Sequence, residues 1–275
     1  MRGLARLKRD PGAWAGGLIV LALVLTALLA PWLAPHDPMH QDLVNRLKPP
    51  GGPWLLGTDQ FGRDVLSRLI WGARISLQVG LISVSIGAVT GTVVGLVAGV
   101  AGRWLDTLVM RVVDIMLAFP TVLLALFIAG ALGSSLTNMM IAIGVTTVPH
   151  FIRIVRAETL VIRELEYVTA SRAAGASPLR VVVRHVLPGV ISPIIVYASL
   201  QTANAIIVEA SLTYLGLGID PSVPTWGGLI SQGRNLLDLA PWISLSGGFA
   251  VFITVLGLNL FGDALRDALD PKLLT

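Results

Sequence analysis

The sequence predicts an all-α integral membrane protein crossing the bilayer six times. Three observations carry this. Hydrophobic residues make up 54% of the 275 positions against 13% charged, a balance foreign to soluble domains. Mean hydropathy is +0.79. The charges gather between long apolar runs rather than within them, so the net charge of +4 reports membrane topology and not nucleic-acid binding.

A span needs about 20 residues at 1.5 Å rise. Six runs qualify: 14–33, 75–101, 115–132, 139–155, 189–209 and 242–261. The first follows Arg2, Arg6, Lys8 and Arg9, as a signal peptide would, but its apolar core is too long and no small-residue cleavage site follows. It is expected to anchor the chain. With the N-terminus inside, 14 of the 20 lysines and arginines lie in cytoplasmic segments, the asymmetry that sets orientation. Both termini are therefore expected in the cytoplasm.

The organisation expected is a tail over 1–13, a first helix over 14–33 and an external loop over 34–74. A five-helix core over 75–262 follows, with a cytoplasmic loop at 156–188, and a charged, solvated tail over 263–275 closes the chain. The external loop is proline-rich at its start. Gly57 to Asp64, GTDQFGRD, has the glycine spacing of a phosphate-binding loop. Arg63 replaces the lysine, however, Asp64 replaces the metal-binding hydroxyl, and no strand precedes it. Thr58 or Asp59 is instead expected to cap a short surface helix holding Val65, Leu66, Leu69 and Ile70.

Ser83, Gly87, Gly91, Gly95 and Gly99 recur every four residues in the second span. They form one face that lets another helix backbone approach closely. Pro120 and Pro149 predict kinks in the third and fourth spans. Few ionisable groups lie at membrane depth. His150 is expected to make a structural hydrogen bond, and Glu209 closes the fifth span as a possible outer gate or pathway residue. The segment 210–241 reads as a turn-rich outer loop with Trp226-Gly227-Gly228 as an aromatic anchor. There is no cysteine, and no metal, cofactor or catalytic motif is expected.

The charged island 163–188, RELEYVTASRAAGASPLRVVVRHVLP, stands apart. Gly175 fits the left-handed end of one short helix, and Ser177-Pro178 fits the capped start of another. Two short helices meeting at a bend are expected, closed by Leu187-Pro188 where the next span begins.

This island resembles the coupling loop of ABC-importer permeases, E-A-A, three residues, G, nine residues, I-x-L-P. Thr169-Ala170-Ser171 takes the first place, Gly175 the glycine, His185 the isoleucine and Leu187-Pro188 the ending. The glutamate and isoleucine of the pattern are thus absent. LGTDQFGRDVLSRLIWGARISL, DIMLAFPTVLLAL, EASLTYLGLGIDPSVPTWGGLI and GDALRDALDP extend the likeness over most of the chain, to the second permease type of dipeptide, oligopeptide and nickel importers.

The resemblance implies a bacterial or archaeal cytoplasmic-membrane protein with a coupling helix between helices four and five. Glu166, Tyr167, Thr169, Ala170, Ser171, Ala174, Gly175, Ala176, Leu187 and Pro188 would then form the ATPase-coupling loop. It further implies a second homologous permease subunit, two cytoplasmic ATP-binding subunits that hydrolyse the nucleotide, and an external substrate-binding protein. No nucleic-acid partner is implied. The alternative is a motor-independent secondary transporter or channel, which would show charged groups along a path or an inverted repeat; neither is visible.

Overall fold

Pro11 sits in the first turn of helix α1 (Pro11–Leu33), where its missing N–H costs nothing, and the Asp10 carboxylate accepts from the Gly12 amide. The computed structural model describes residues 10–269. The basic residues before position 10, and Lys272, lie outside the described residues.

Within the described residues the chain is helical, with five helices long and apolar enough to span a membrane: α1, α2 (Val65–Val100), α5 (Leu136–Ile162), a continuous run from Pro178 to Tyr214, and α10 (Pro241–Leu269). The sixth span departs from expectation. The run 115–132 is split between α3 (Arg103–Ala118) and α4 (Thr121–Leu132), which meet at 96°. Pro120 has no N–H to continue the ladder, and it forces Phe119 into extended backbone (φ −88°, ψ 138°). Pro149, by contrast, leaves α5 unbroken.

Helix α2 also begins earlier than expected. Val65, Leu66, Leu69 and Ile70 form its first turns rather than a separate surface helix, and the cap is Asp64, not Thr58 or Asp59. The Asp64 carboxylate accepts from the Ser67 amide at 3.0 Å and its hydroxyl at 2.6 Å. At the other end of the chain, positions 263–269, expected as a tail, continue α10 to Leu269.

The glycine face of α2 packs on α5. A Cβ at Gly95 would lie 2.8 Å from the Val155 Cβ, and Gly87, Gly91 and Gly99 meet Thr147, Phe151 and Thr159 in the same register. Gly144 returns the contact against Ile86. Two backbones thereby approach closely enough for dispersion to act along their whole length. Around this pair, α1 packs on α2 and on α10, α4 packs on α5, and the run from Pro178 to Tyr214 packs on α2, α5 and α10. Large apolar side chains such as Leu18, Leu28, Leu81 and Phe127 point outward, as a lipid-facing surface requires.

The segment 210–241 is more ordered than a turn-rich loop. After Tyr214 the chain turns at Gly216 (φ +88°) and enters α9 (Trp226–Gly233). Trp226 is 1% exposed, seated against Gly72 of α2, and its indole N–H donates to the Leu69 carbonyl at 3.0 Å. The aromatic anchor is thus internal: the ring buries its apolar body and satisfies its single donor.

Candidate coupling surface and membrane pathway

Helix α6 (Glu166–Ala173) follows α5 after a short turn. One side chain fastens it: Val168 is fully buried in a cluster with Leu96, Val155, Val181, Val186 and Val190. The other faces are open. Glu166, Tyr167, Thr169, Ala170, Ala174 and Gly175 are exposed, with Ser171 and Ala176 intermediate. The arrangement is a short polar helix carried on an apolar peg.

The bend after α6 has the expected chemistry. Gly175 has φ +84°; its amide donates to the Arg172 carbonyl at 2.9 Å, and that of Ala176 to the Ser171 carbonyl at 3.1 Å. This pair of bonds is a Schellman motif, which closes the last carbonyls of a helix through a left-handed residue. No atom lies within 4 Å of a Cβ built at Gly175, so the demand for glycine is conformational and not steric. Ser177 then caps α7 (Pro178–Val181), its hydroxyl accepting from the Arg180 amide.

Leu187-Pro188 does not end the island as expected. Helix α7 passes through a π turn over Val182–Val186 directly into α8 (Leu187–Tyr214). Pro188 lacks the amide that would bond the Arg184 carbonyl, and Leu187 donates one residue further back, to Val182. The ladder widens by one residue at that point. Leu187 and Pro188 therefore lie in the root of the span, apart from the exposed face of α6. His185, in the π turn, faces α6: its Nε2 lies 3.1 Å from the Ser171 hydroxyl, and Tyr167 donates to its carbonyl at 3.4 Å. Sequence spacing alone did not disclose this contact, because it crosses from one short helix to a widened turn.

Glu209 is buried completely. Its carboxylate accepts from Thr213 at 3.2 Å and from Ser76 at 3.4 Å, joining α8 to α2 beside Gly227 of α9. His150, on α5, stacks with Tyr197 of α8 at 6.5 Å between ring centroids.

At the Glu209 end, Asp59, Arg63, Asp64 and Arg68 form a buried polar knot that the sequence did not reveal. Asp59 accepts from the Phe61 and Arg63 amides at 2.8 and 3.0 Å and from Arg63 Nε at 2.6 Å; Arg68 Nε lies 3.7 Å away. Arg63 and Arg68 reach on to the Pro221 carbonyl, Arg68 also to the carbonyls of Pro38 and Ser222. Both guanidinium groups are essentially without solvent contact. No metal-binding group of three or more His, Cys, Asp or Glu occurs among the described residues.

Two family descriptions match the chain. "Binding-protein-dependent transport system inner membrane component" covers residues 91–275, and "N-terminal TM domain of oligopeptide transport permease C" covers residues 2–50. Among relatives, the di/tripeptide transport system permease protein DppC of Pseudomonas aeruginosa is 46% identical over 96% of this chain and 89% of its own length. The dipeptide transport system permease protein DppC of Alkalihalophilus pseudofirmus is 44% identical over 98% and 88%. The glutathione transport system permease protein GsiD of Pectobacterium atrosepticum is 42% identical over 98% and 89%. The inward-facing MetNI methionine ABC transporter shares the fold at a TM-score of 0.61, with 21% identity, covering 74% of this chain and 96% of that one. Helical architecture, motif likeness and relatives matched over nearly their whole length converge: the chain belongs to the binding-protein-dependent transport system inner membrane component family, as an ABC-importer permease.

Proposed function

We propose that this permease moves dipeptides or oligopeptides, or a related small substrate such as glutathione or a nickel chelate, inward across the cytoplasmic membrane. It does so as one of two homologous halves, driven by two cytoplasmic ATP-binding subunits and supplied by an external binding protein. The observation that carries this reading is α6, a short exposed helix on a buried peg between the fourth and fifth spans. Such a helix transmits a push to α5 and α8 because its peg, Val168, sits in the same cluster as Val155 of α5 and Val190 of α8. Glu166, Tyr167, Thr169, Ala170, Ser171 and Ala174 to Ala176 form the docking face, and Leu187 and Pro188 hold the root beneath it. ATP-driven closure of the partners is the ligand bias that a two-state transporter needs.

Glu209 is assigned to the outer gate as a buried tie between α2 and α8 rather than as a substrate contact. Glu209→Gln keeps the shape and lowers uptake while leaving assembly intact; unchanged uptake at limiting substrate makes it a packing residue only. Both termini and the island lie in the cytoplasm. Because the chain has no cysteine, single cysteines at Asn45, Ser222 and Ser177 test this directly. An impermeant thiol reagent outside intact cells labels the first two and spares the third.

The complete system tests the function. Affinity purification of this chain with its neighbours recovers the ATPases, and liposomes holding the assembly accumulate trialanine only with ATP inside and binding protein outside. Uptake by the lone chain without ATP overturns the proposal in favour of a motor-independent carrier.

A further inference from the structure

A substrate crossing the bilayer exchanges its water for protein contacts at mid-membrane. A cavity of about 290 Å³ lies between α4, α5 and α8, and its polar wall includes Thr121, Thr146, His150, Tyr197, Gln201 and Asn204. His150 lies roughly midway along α5, and the Tyr197–Asn204 stretch occupies the middle of α8. This places the cavity well away from the headgroups. Polar side chains are costly there and face the protein interior or a path.

These groups are linked. Gln201 is 5% exposed. Its amide donates to Tyr197 Oη at 2.7 Å, and its carbonyl accepts from the Asn204 amide at 2.8 Å. The chain of bonds ends at Asn204, which is exposed and whose Oδ1 has no hydrogen-bond partner among the described residues. Thr146 gives its hydroxyl proton to the Ile143 carbonyl at 2.7 Å, so toward the cavity its oxygen is an acceptor. No aspartate, glutamate, lysine or arginine lines the space.

We propose that the Tyr197–Gln201–Asn204 network, with Thr146 opposite, is a transit site that hydrogen-bonds the backbone amides of the passing peptide. The assignment rests on the peptide-importer reading above. The chemistry favours amides over charged ends. Each peptide unit brings one donor and one acceptor that lose water on entering the membrane, and neutral amide and hydroxyl side chains replace both. A fixed charge at this depth would hold a zwitterionic peptide by one terminus. A neutral wall binds weakly enough to release, as conduction requires. It also reads the backbone alone, so peptides of differing side chains pass.

The test uses the complete assembly in liposomes with trialanine as the probe. If the wild-type assembly takes up no trialanine, the peptide-importer reading fails and this site is not at issue. Given wild-type uptake, the double variant Gln201→Leu with Asn204→Leu transports about tenfold less per ATP hydrolysed, the loss expected for one to two hydrogen bonds. Asn204→Ser, which keeps a donor and an acceptor, retains most of the uptake. A single cysteine, Asn204→Cys, is modified more slowly by a small thiol reagent when trialanine-loaded rather than empty binding protein drives turnover. The lipid-facing control Leu81→Cys shows no such difference. Wild-type uptake per ATP in the double leucine variant overturns the proposal. Should that variant fail to insert, equal modification of Asn204→Cys with and without trialanine overturns it.

Discussion

The two ends of the bundle solve opposite problems. At the Asp59 end, charged groups are buried against one another and against backbone carbonyls: Asp59, Arg63 and Arg68 tie residues 36–68 to the loop at 221–222. At the Gly175 end, polar groups are displayed, and α6 is held by one buried valine, one Schellman bend and one histidine contact. A knot whose buried charges need every partner resists deformation, since removing one leaves another uncompensated. A displayed helix on a peg can be gripped and moved by something outside the chain. On the coupling role proposed above, rigidity lies at the Asp59 end of this permease and transmission at the Gly175 end.

The largest effect should come from breaking the knot. Asp59→Ala removes the counter-charge of two buried guanidinium groups and the acceptor of two amides at once, a loss of about 3–5 kcal/mol. The variant should fail to accumulate in the membrane, as measured by immunoblot of the full-length chain. Normal abundance would show that the knot is not what holds this end together.

Breaking the other end should spare the fold. Gly175→Val meets no atom but forces a β-branched residue into left-handed backbone, at about 1–2 kcal/mol. The chain should insert normally yet lose transport and recover its ATPases poorly. Gly175→Asn, which tolerates the left-handed region, should restore most of both. Full transport by a well-inserted Gly175→Val variant would remove the bend from the coupling mechanism.

A smaller loss is expected from His185→Ala. It deletes the contact with Ser171 while Val168 and the Schellman bonds remain. Uptake should fall a few-fold, with ATPase recovery unchanged and ATP hydrolysis less tightly linked to transport. Ser171→Ala should reproduce the effect without adding to His185→Ala, as residues sharing one contact do. Additive losses would separate the two.

These contrasts also explain what the sequence disclosed. Gly175 and Ser177-Pro178 were legible because left-handed backbone and helix capping are local demands met by particular residues. The glycine face of α2 was legible because its period is that of a helix. The knot was not: Arg63 and Asp59 are four residues apart and readable as a surface pair, and only the return of Pro221 and Ser222 buries them. Tyr197, Gln201 and Asn204 do not stand out in the sequence for a related reason, since uncharged polar residues scarcely interrupt an apolar run. The continuity of α7 into α8 was hidden because Pro188 reads as a stop, whereas a π turn absorbs the missing bond.

The smallest effect is expected at Asp220, at the rim of the knot. Asp220 lies outside the spans, in the loop whose neighbouring carbonyls receive Arg63 and Arg68. Its carboxylate accepts the Ser222 amide at 2.8 Å and hydroxyl at 2.7 Å, and these bonds, the amide first, hold its pKa below the ordinary value. A carboxylate depressed in the folded state stabilises above its unfolded pKa and loses that contribution as pH falls through the lower folded value. Neutral and mildly acidic conditions should therefore leave the loop unchanged. Asp220→Asn, which keeps the shape without the charge, should melt slightly below the wild type at pH 7, and the two should converge at pH values beneath the ordinary aspartate range. The measurement is a pair of thermal melts of the purified permease across that interval. A gap that persists unchanged into acid would mean that Asp220 shapes the loop by geometry alone and that its charge contributes nothing to presenting the carbonyls to the knot.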